Sequence, residues 1–426
     1  MTTILIVASV LAGGVLIYAR NARASLIVLL IVTALLSGSE NETVNFVGIQ
    51  VRRLCIVFLA LLVLRNKSRL PKSVVCLIGA SLVGISGLLQ ADAPESGPTL
   101  LASTFLLHLP AAITIRSWVV EPGNKEKIGR IFIFAASIHG LLTAVYLRDF
   151  TGETRFAGAG SNAPLFAFAG GALLSALLWG LFYEKGQTKL VCIPLLPITI
   201  LLTLLGAQRS GLLSLGAAVI PFLALGLIRY PMKMLKIVSG SIVTVWLVVS
   251  NSTLFDFAFE RFSTLDSNGR DERWNSAWEL IRQRPVSGWG PGSREEVGFG
   301  VHNSFVSIWL ELGIVGLILW VAAIVIALNS CLKVLSRYKS DGEGVALLSL
   351  SWLSVCVAFA QVEDKLYRPS NLPAVVFLLA LLTASVVADH RNVALGRHLS
   401  RVGGAWSSRH RNWALPVGQF RQEAKR

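Results

Sequence analysis

Apolar runs close to the length that crosses a bilayer recur along most of this chain, and they limit its fold more than any other feature. They fall near residues 2–18, 24–37, 45–64, 73–91, 98–118, 129–147, 163–183, 190–207, 211–228, 237–250, 303–329, 344–361 and 372–388. Helices and closed barrels alone satisfy their backbone polar groups in lipid. At roughly 20 residues per crossing, the expected fold is an all-α polytopic membrane protein with about 12–13 spans. Composition agrees, since 54% of residues are hydrophobic and only 15% charged. A soluble surface of this size needs more charge than that. The first run, Met1 to Ala19, lacks a basic leading region and reads as a retained span, not a cleaved signal.

Loop charges set the expected orientation. Segments 65–72, 121–130, 184–189, 229–236 and 332–339 are short and basic, which places them on the cytoplasmic side. Loops 91–97, 148–162, 207–211, 251–302 and 362–371 then belong to the outer face. Residues 1–390 read as one integral membrane domain carrying a large outer loop at 251–302, and 391–426 as a basic cytoplasmic tail. From Arg391 to Arg426 that tail holds eight Lys/Arg against the single Glu423. It accounts for part of the net charge of +15 and fits an anionic lipid surface. No reader fold for nucleic acid accompanies it, so no nucleic-acid partner is expected. Cys55, Cys76, Cys192, Cys331 and Cys356 have no CxxC spacing and read as small core residues.

The groups able to do chemistry gather on the outer loops. Arg155 lies in "ETRFAGAGSNAP", Arg209 in "GAQRSG", and Arg270 and Arg273 in "NGRDERW". A guanidinium at a membrane rim is costly unless it faces water or an anion. Its planar fork binds phosphate bidentately without losing charge. The 271–283 stretch is helix-like, with Trp274, Ala277, Trp278 and Ile281 along one face. His302 is the natural acid–base candidate at neutral pH. Its spacing to Trp309, Gly313 and Gly316 predicts one uninterrupted helix, with the two glycines seating it against a neighbour. Glu311 reads as a structural or gating partner, and His108 and His139 as isolated core histidines. Walker, HExxH, GxSxG and Asp-x-Asp patterns are absent, so neither a metal nor another cofactor is expected. An outer site has no access to cytoplasmic nucleotides, which points to a donor already activated on a polyprenyl diphosphate.

Four segments occur in order: "RFAGAGSNAPLFAFAGGALLSALL" (155–178), "LLTLLGAQRSGLLSL" (201–215), "GRDERWNSAWELIRQRPVSGWGPG" (269–292) and "HNSFVSIWLELGIVGLILW" (302–320). This order resembles the O-antigen ligase/polymerase superfamily of bacterial envelope proteins, which includes lipopolysaccharide O-antigen ligases and Wzy-type and exopolysaccharide polymerases. The resemblance covers about 155–320, and the His-Asn before Glu-Leu-Gly-x-x-Gly is its most specific part. It implies a GT-C-like bundle in the bacterial cytoplasmic membrane. The implied reaction transfers a glycan from an undecaprenyl-diphosphate-linked donor to an acceptor hydroxyl on the extracytoplasmic face. Carried over, Arg209, Arg270 and His302 are the catalytic set, with Arg155, Arg273 and Asn303 binding substrate. Arg155 fits less well because Ala163 separates Asn162 from Pro164. Residues and resemblance together predict a metal-independent, inverting glycosyltransferase, ligase or polymerase. The rival is a flippase of lipid-linked glycans, which needs charge at mid-depth; the deep spans look nearly uncharged.

Overall fold

The computed structural model describes residues 22–35, 42–65, 70–89, 96–121, 123–147, 163–250, 269–293, 300–336, 342–366 and 371–387. The 2–18 run, the loop holding Arg155, parts of the 251–302 loop and the 391–426 tail lie outside them. Each of the other twelve apolar runs is a helix, and among the described residues there is no strand. The helices are α1 (Ala22–Leu35), α2 (Glu42–Leu61), α3 (Lys72–Leu88), α4 (Gly97–Ser103), α5 (Leu109–Val120), α6 (Lys127–Leu147), α7 (Ala163–Tyr183), α8 (Gly186–Leu205), α9 (Arg209–Arg229) and α10 (Pro231–Val249). They continue with α11 (Arg270–Gln283), α12 (Ser304–Leu335), α13 (Glu343–Ala360) and α14 (Leu372–Val387). A π-helical turn, Thr104–His108, joins α4 to α5 within one apolar span.

Among the described residues, six helices are long and apolar enough to cross a membrane: Gly97–Val120, α7, α8, α9, α12 and α13. Three shorter apolar ones accompany them, at Arg23–Leu35, Lys72–Ser86 and Leu372–Val387. The protein is an all-α polytopic membrane protein. The deep spans are less apolar than expected, because Arg52 in the middle of α2 is 5% exposed and Arg116 in α5 is 7% exposed.

Helix α7 is apolar on every side, which is the pattern of a helix enclosed by others, and nearly all of it is buried. Close packing comes from glycine. A Cβ on Gly170 would collide with Thr203 of α8, and one on Gly171 with Ser214 of α9. Small residues serve this purpose in lipid, where the hydrophobic effect gives helices no reason to associate. Polar bonds then lace the centre. Ser351 of α13 donates to Ser175 of α7 (2.7 Å) or to the Ala218 carbonyl of α9 (2.8 Å). The Trp352 indole N–H donates to Ala172 O (3.0 Å).

At one end of the bundle, Glu343 at the start of α13 meets the ends of α7 and α9. Arg229 of α9 donates to its Oε2 at 2.8 Å, and the hydroxyls of Tyr183 and Tyr230 donate to its Oε1 at 2.9 and 3.3 Å. Arg229 also donates to the Leu335 carbonyl at the end of α12. The ends of α7, α9 and α12 therefore lie together, and their starts lie together at the other end. Loops that the charge pattern assigned to one side thus share an end. The Arg229 and Glu343 side chains are 10% and 4% exposed, so losing one partner strands a buried charge. Glu343→Ala is expected to destabilise the protein by about 3–5 kcal/mol. The joint replacement Arg229→Met with Glu343→Leu should recover most of that, as read by thermal unfolding in detergent.

Candidate active site

At the end opposite Glu343, the start of α12 is bonded to the chain leaving α13, α9 begins at that same end, and α11 packs there against α12. Arg209 is the first residue of α9, whose N-cap, Gln208, makes no side-chain cap bond. Free N–H groups at such an end carry partial positive charge. Arg270 opens α11 after Gly269, whose φ of +71° turns the chain into the helix. Arg273 follows one turn later. Among the described residues neither the Arg270 nor the Arg273 side chain has a hydrogen-bond or ion-pair partner.

Residues 301–304 are held from two sides. On one side the Trp274 indole donates to Val301 O at 2.8 Å. On the other, Asn303 Nδ2 donates to Gln361 O (3.2 Å), Ser304 Oγ donates to Glu363 O (2.7 Å), and the Leu366 N–H donates back to Ser304 Oγ (3.4 Å). Asn303 Oδ1 accepts from the N–H groups of Phe305 and Val306 at 2.9 and 3.1 Å. Asn303 is therefore the N-cap of α12, and its side chain is engaged by protein on both polar atoms.

His302 sits between these anchors in the left-handed region, at φ +51°. Among the described residues only one other non-glycine has a positive φ, Ala207 at +47°, two positions before Arg209. Such backbone costs about 1–3 kcal/mol and persists where surrounding structure imposes it. Both instances lie beside residues expected to do chemistry. His302 Nδ1 is 3.4 Å from Glu363 Oε2. The His302 side chain is 32% exposed and that of Glu363 5%. With Glu363 ionised, the ring proton belongs on Nδ1, which leaves Nε2 with a lone pair to accept a proton. Asp364, 4% exposed, lies next to this pair. Sequence reading missed the acids, although "VED" at 362–364 lay on a loop assigned to the same side as His302. The two are sixty-one positions apart (363 − 302), beyond any local pattern.

The expected uninterrupted helix through Gly313 is corrected by the structure. Gly313 has φ +66° and ψ −177°, and α12 is broken there. The loop after α11 fills the break: Ile314 N–H donates to Pro285 O (2.9 Å), Trp289 N–H to Leu310 O (2.8 Å) and Gly290 N–H to Glu311 O (2.9 Å). Backbone groups freed by the break are thus paired inside the membrane span, as lipid requires. Gly313 does not seat α12 on a neighbouring helix; it leaves room for this loop. Glu311, 2% exposed, lines a cavity of about 780 Å³ together with Arg53, His108, Pro291, Gly292 and Trp320. That cavity is walled mostly by apolar side chains and is not lined by Arg209, Arg270 or His302. The structure places those three at one end of the bundle without a direct bond between them. No group of three or more His, Cys, Asp or Glu able to hold a metal occurs among the described residues.

Residues 190–321 match the family described as O-Antigen ligase. This match supports the O-antigen ligase/polymerase superfamily and a function of that type. The matched span contains Arg209, Arg270, Arg273, His302, Asn303 and the Gly313 break, but neither Arg155 nor Glu363. No curated protein matches the chain.

Alanine at 313 would need a backbone conformation open only to glycine, and its Cβ would collide with the Val286 carbonyl oxygen. Gly313→Ala is expected to abolish activity and to raise protease cleavage in the 284–293 loop. Gly316→Ala should be milder because no positive φ is needed there, although its Cβ falls on the Leu312 Cβ and the helix must shift to admit it. Limited proteolysis of both variants in membranes checks this.

Proposed function

We propose that the protein transfers a glycan from an undecaprenyl-diphosphate-linked donor to an acceptor hydroxyl, on the extracytoplasmic face of a bacterial cytoplasmic membrane. The observation that carries this reading is the His302–Glu363 pair, held in strained backbone at the end of the bundle where Arg209 and Arg270 open their helices. Family likeness over 190–321 supports lipid-linked glycan and acceptor as partners.

In this reading Arg209 and Arg270 grip the diphosphate, with Arg273 and Arg155 on the donor's flank. Glu363 orients His302, and His302 Nε2 takes the proton from the acceptor hydroxyl. The acceptor oxygen bonds to C1 of the donor sugar as the C1–O bond breaks, and that electron pair leaves with the diphosphate. Attack from the face opposite the leaving group inverts C1. The arginines neutralise the growing charge, so no metal is required. The apolar cavity beside Glu311 is suited to the lipid portion of a substrate.

One observation favours a second reading, a carrier of lipid-linked glycans: Arg52, Arg53, His108 and Glu311 put polar groups at depth. The two readings part at His302. A carrier tolerates His302→Ala, whereas a transferase loses turnover by about 10²–10⁴ without its base.

The test uses purified protein with lipid-linked oligosaccharide in nanodiscs. His302→Ala should keep donor binding nearly intact while transfer is lost. Arg209→Lys and Arg270→Lys keep charge but lose the bidentate fork, and should weaken donor use by about 10²–10³. Equal loss of donor binding in all three would make His302 a phosphate ligand or a structural residue. A ladder of products identifies a polymerase, and one shifted band requiring a second acceptor identifies a ligase. Turnover is expected to survive EDTA; loss restored by Mg²⁺ or Mn²⁺ overturns the metal-free step.

A further inference from the structure

The loop that fills the break in α12 also has a face turned away from the protein. α12 is broken at Gly313, and the 22 residues after it, 314–335, rise roughly 33 Å, against a hydrocarbon core of about 30 Å. That unbroken part matches the core, so Gly313 lies at its outer edge. The 285–290 segment is bonded to the backbone at this level.

Val286 is 61% exposed at this level, two residues in sequence from Gly288, whose backbone packs on Gly313. Just below, Val315 (41%) and Ile318 (59%) begin the outward-facing apolar stripe of α12. Above, Trp278 of α11 is 36% exposed and meets Trp309 edge-on, with ring centres 5.2 Å apart at 88°. Several polar atoms along this face are paired, although among the described residues the Val286 N–H and C=O have no hydrogen bond. Pro285 has no N–H, and its carbonyl accepts from Ile314 N–H and from the Trp309 indole (3.0 Å). The Trp289 indole donates to Leu280 O at 2.9 Å.

We propose that the Trp278–Pro285–Val286 face is a wedge inserted among the phospholipid acyl chains of the leaflet on the active-site side. The occupant is lipid because the patch is continuous with the membrane-facing surface of α12, and at the outer edge of the core the Val286 backbone stays within reach of headgroup water while its side chain meets the acyl chains. An indole at the upper edge suits the headgroup boundary, where aromatic residues concentrate. The wedge holds α11, with Arg270 and Arg273, at headgroup level, and this does not depend on which reaction the site performs.

The experiment places a single polarity-sensitive fluorophore on the full-length protein in nanodiscs, at Val286→Cys or at Ser276→Cys on the exposed side of α11. Both variants carry Cys76→Ser; the other four native cysteines are buried. The label at 286 should emit at shorter wavelength than the label at 276. It should lose most of its intensity to phospholipids carrying a quencher on the acyl chain, and little to aqueous iodide. The label at 276 should show the reverse. Iodide quenching at 286 as strong as at 276 would overturn the wedge, and would make the patch a water-facing surface for a glycan or other soluble partner. Quenching at 286 by neither agent would also overturn it, because protein would then cover the patch.

Discussion

The arrangement of this site depends on how a broken helix keeps its backbone hydrogen-bonded inside a membrane. A carbonyl or N–H left bare in hydrocarbon costs several kcal/mol, so a break in α12 survives only with partners at hand. The loop after α11 supplies them, through Pro285 O, Trp289 N–H and Gly290 N–H. One consequence is mechanical. The loop cannot leave the break without exposing backbone on both sides, so α11 and α12 are tied together. The arginine that opens α11 and the histidine that precedes α12 are then parts of one unit.

The second tie works at the rim. Residues 301–304 are bonded to Trp274 on one side and to 361–366 on the other. Enough contacts converge to hold His302 at a φ that a side chain rarely adopts. A side chain held this way loses little freedom when a ligand arrives, which is the physical content of preorganisation. The equivalent turn before Arg209 uses Ala207 in the same region. At the opposite end, buried Glu343 gathers Arg229, Tyr183 and Tyr230, so both ends of the core helices are fixed by polar bonds while the middle packs on glycine and small residues.

Hydropathy runs located the twelve described bundle helices because a membrane span is a local property: about twenty apolar residues in a row are enough to require it. Three of the basic loops, 184–189, 229–236 and 332–339, begin at one end of the bundle, where Tyr183, Arg229, Leu335 and Glu343 meet. The charge at depth was not evident. Arg52 sits in a run that reads as apolar on average, and averaging hides a single buried guanidinium. Gly313 was visible as a small residue, but its role was misread. A helical stripe containing glycine looks the same whether the glycine admits a helix or a loop.

What the sequence determined alone is the fold class, the positions of the spans and the residue types that could handle an anionic, lipid-borne substrate. These follow from composition and local spacing, which act over one or two helical turns. Tertiary structure alone decided that Glu363 faces His302, that Asn303 caps α12 and that the loop at 285–290 occupies the break at Gly313. Each is a contact between segments far apart in the chain. No period of 3.6 residues encodes such a contact; it exists only once packing has brought the segments together.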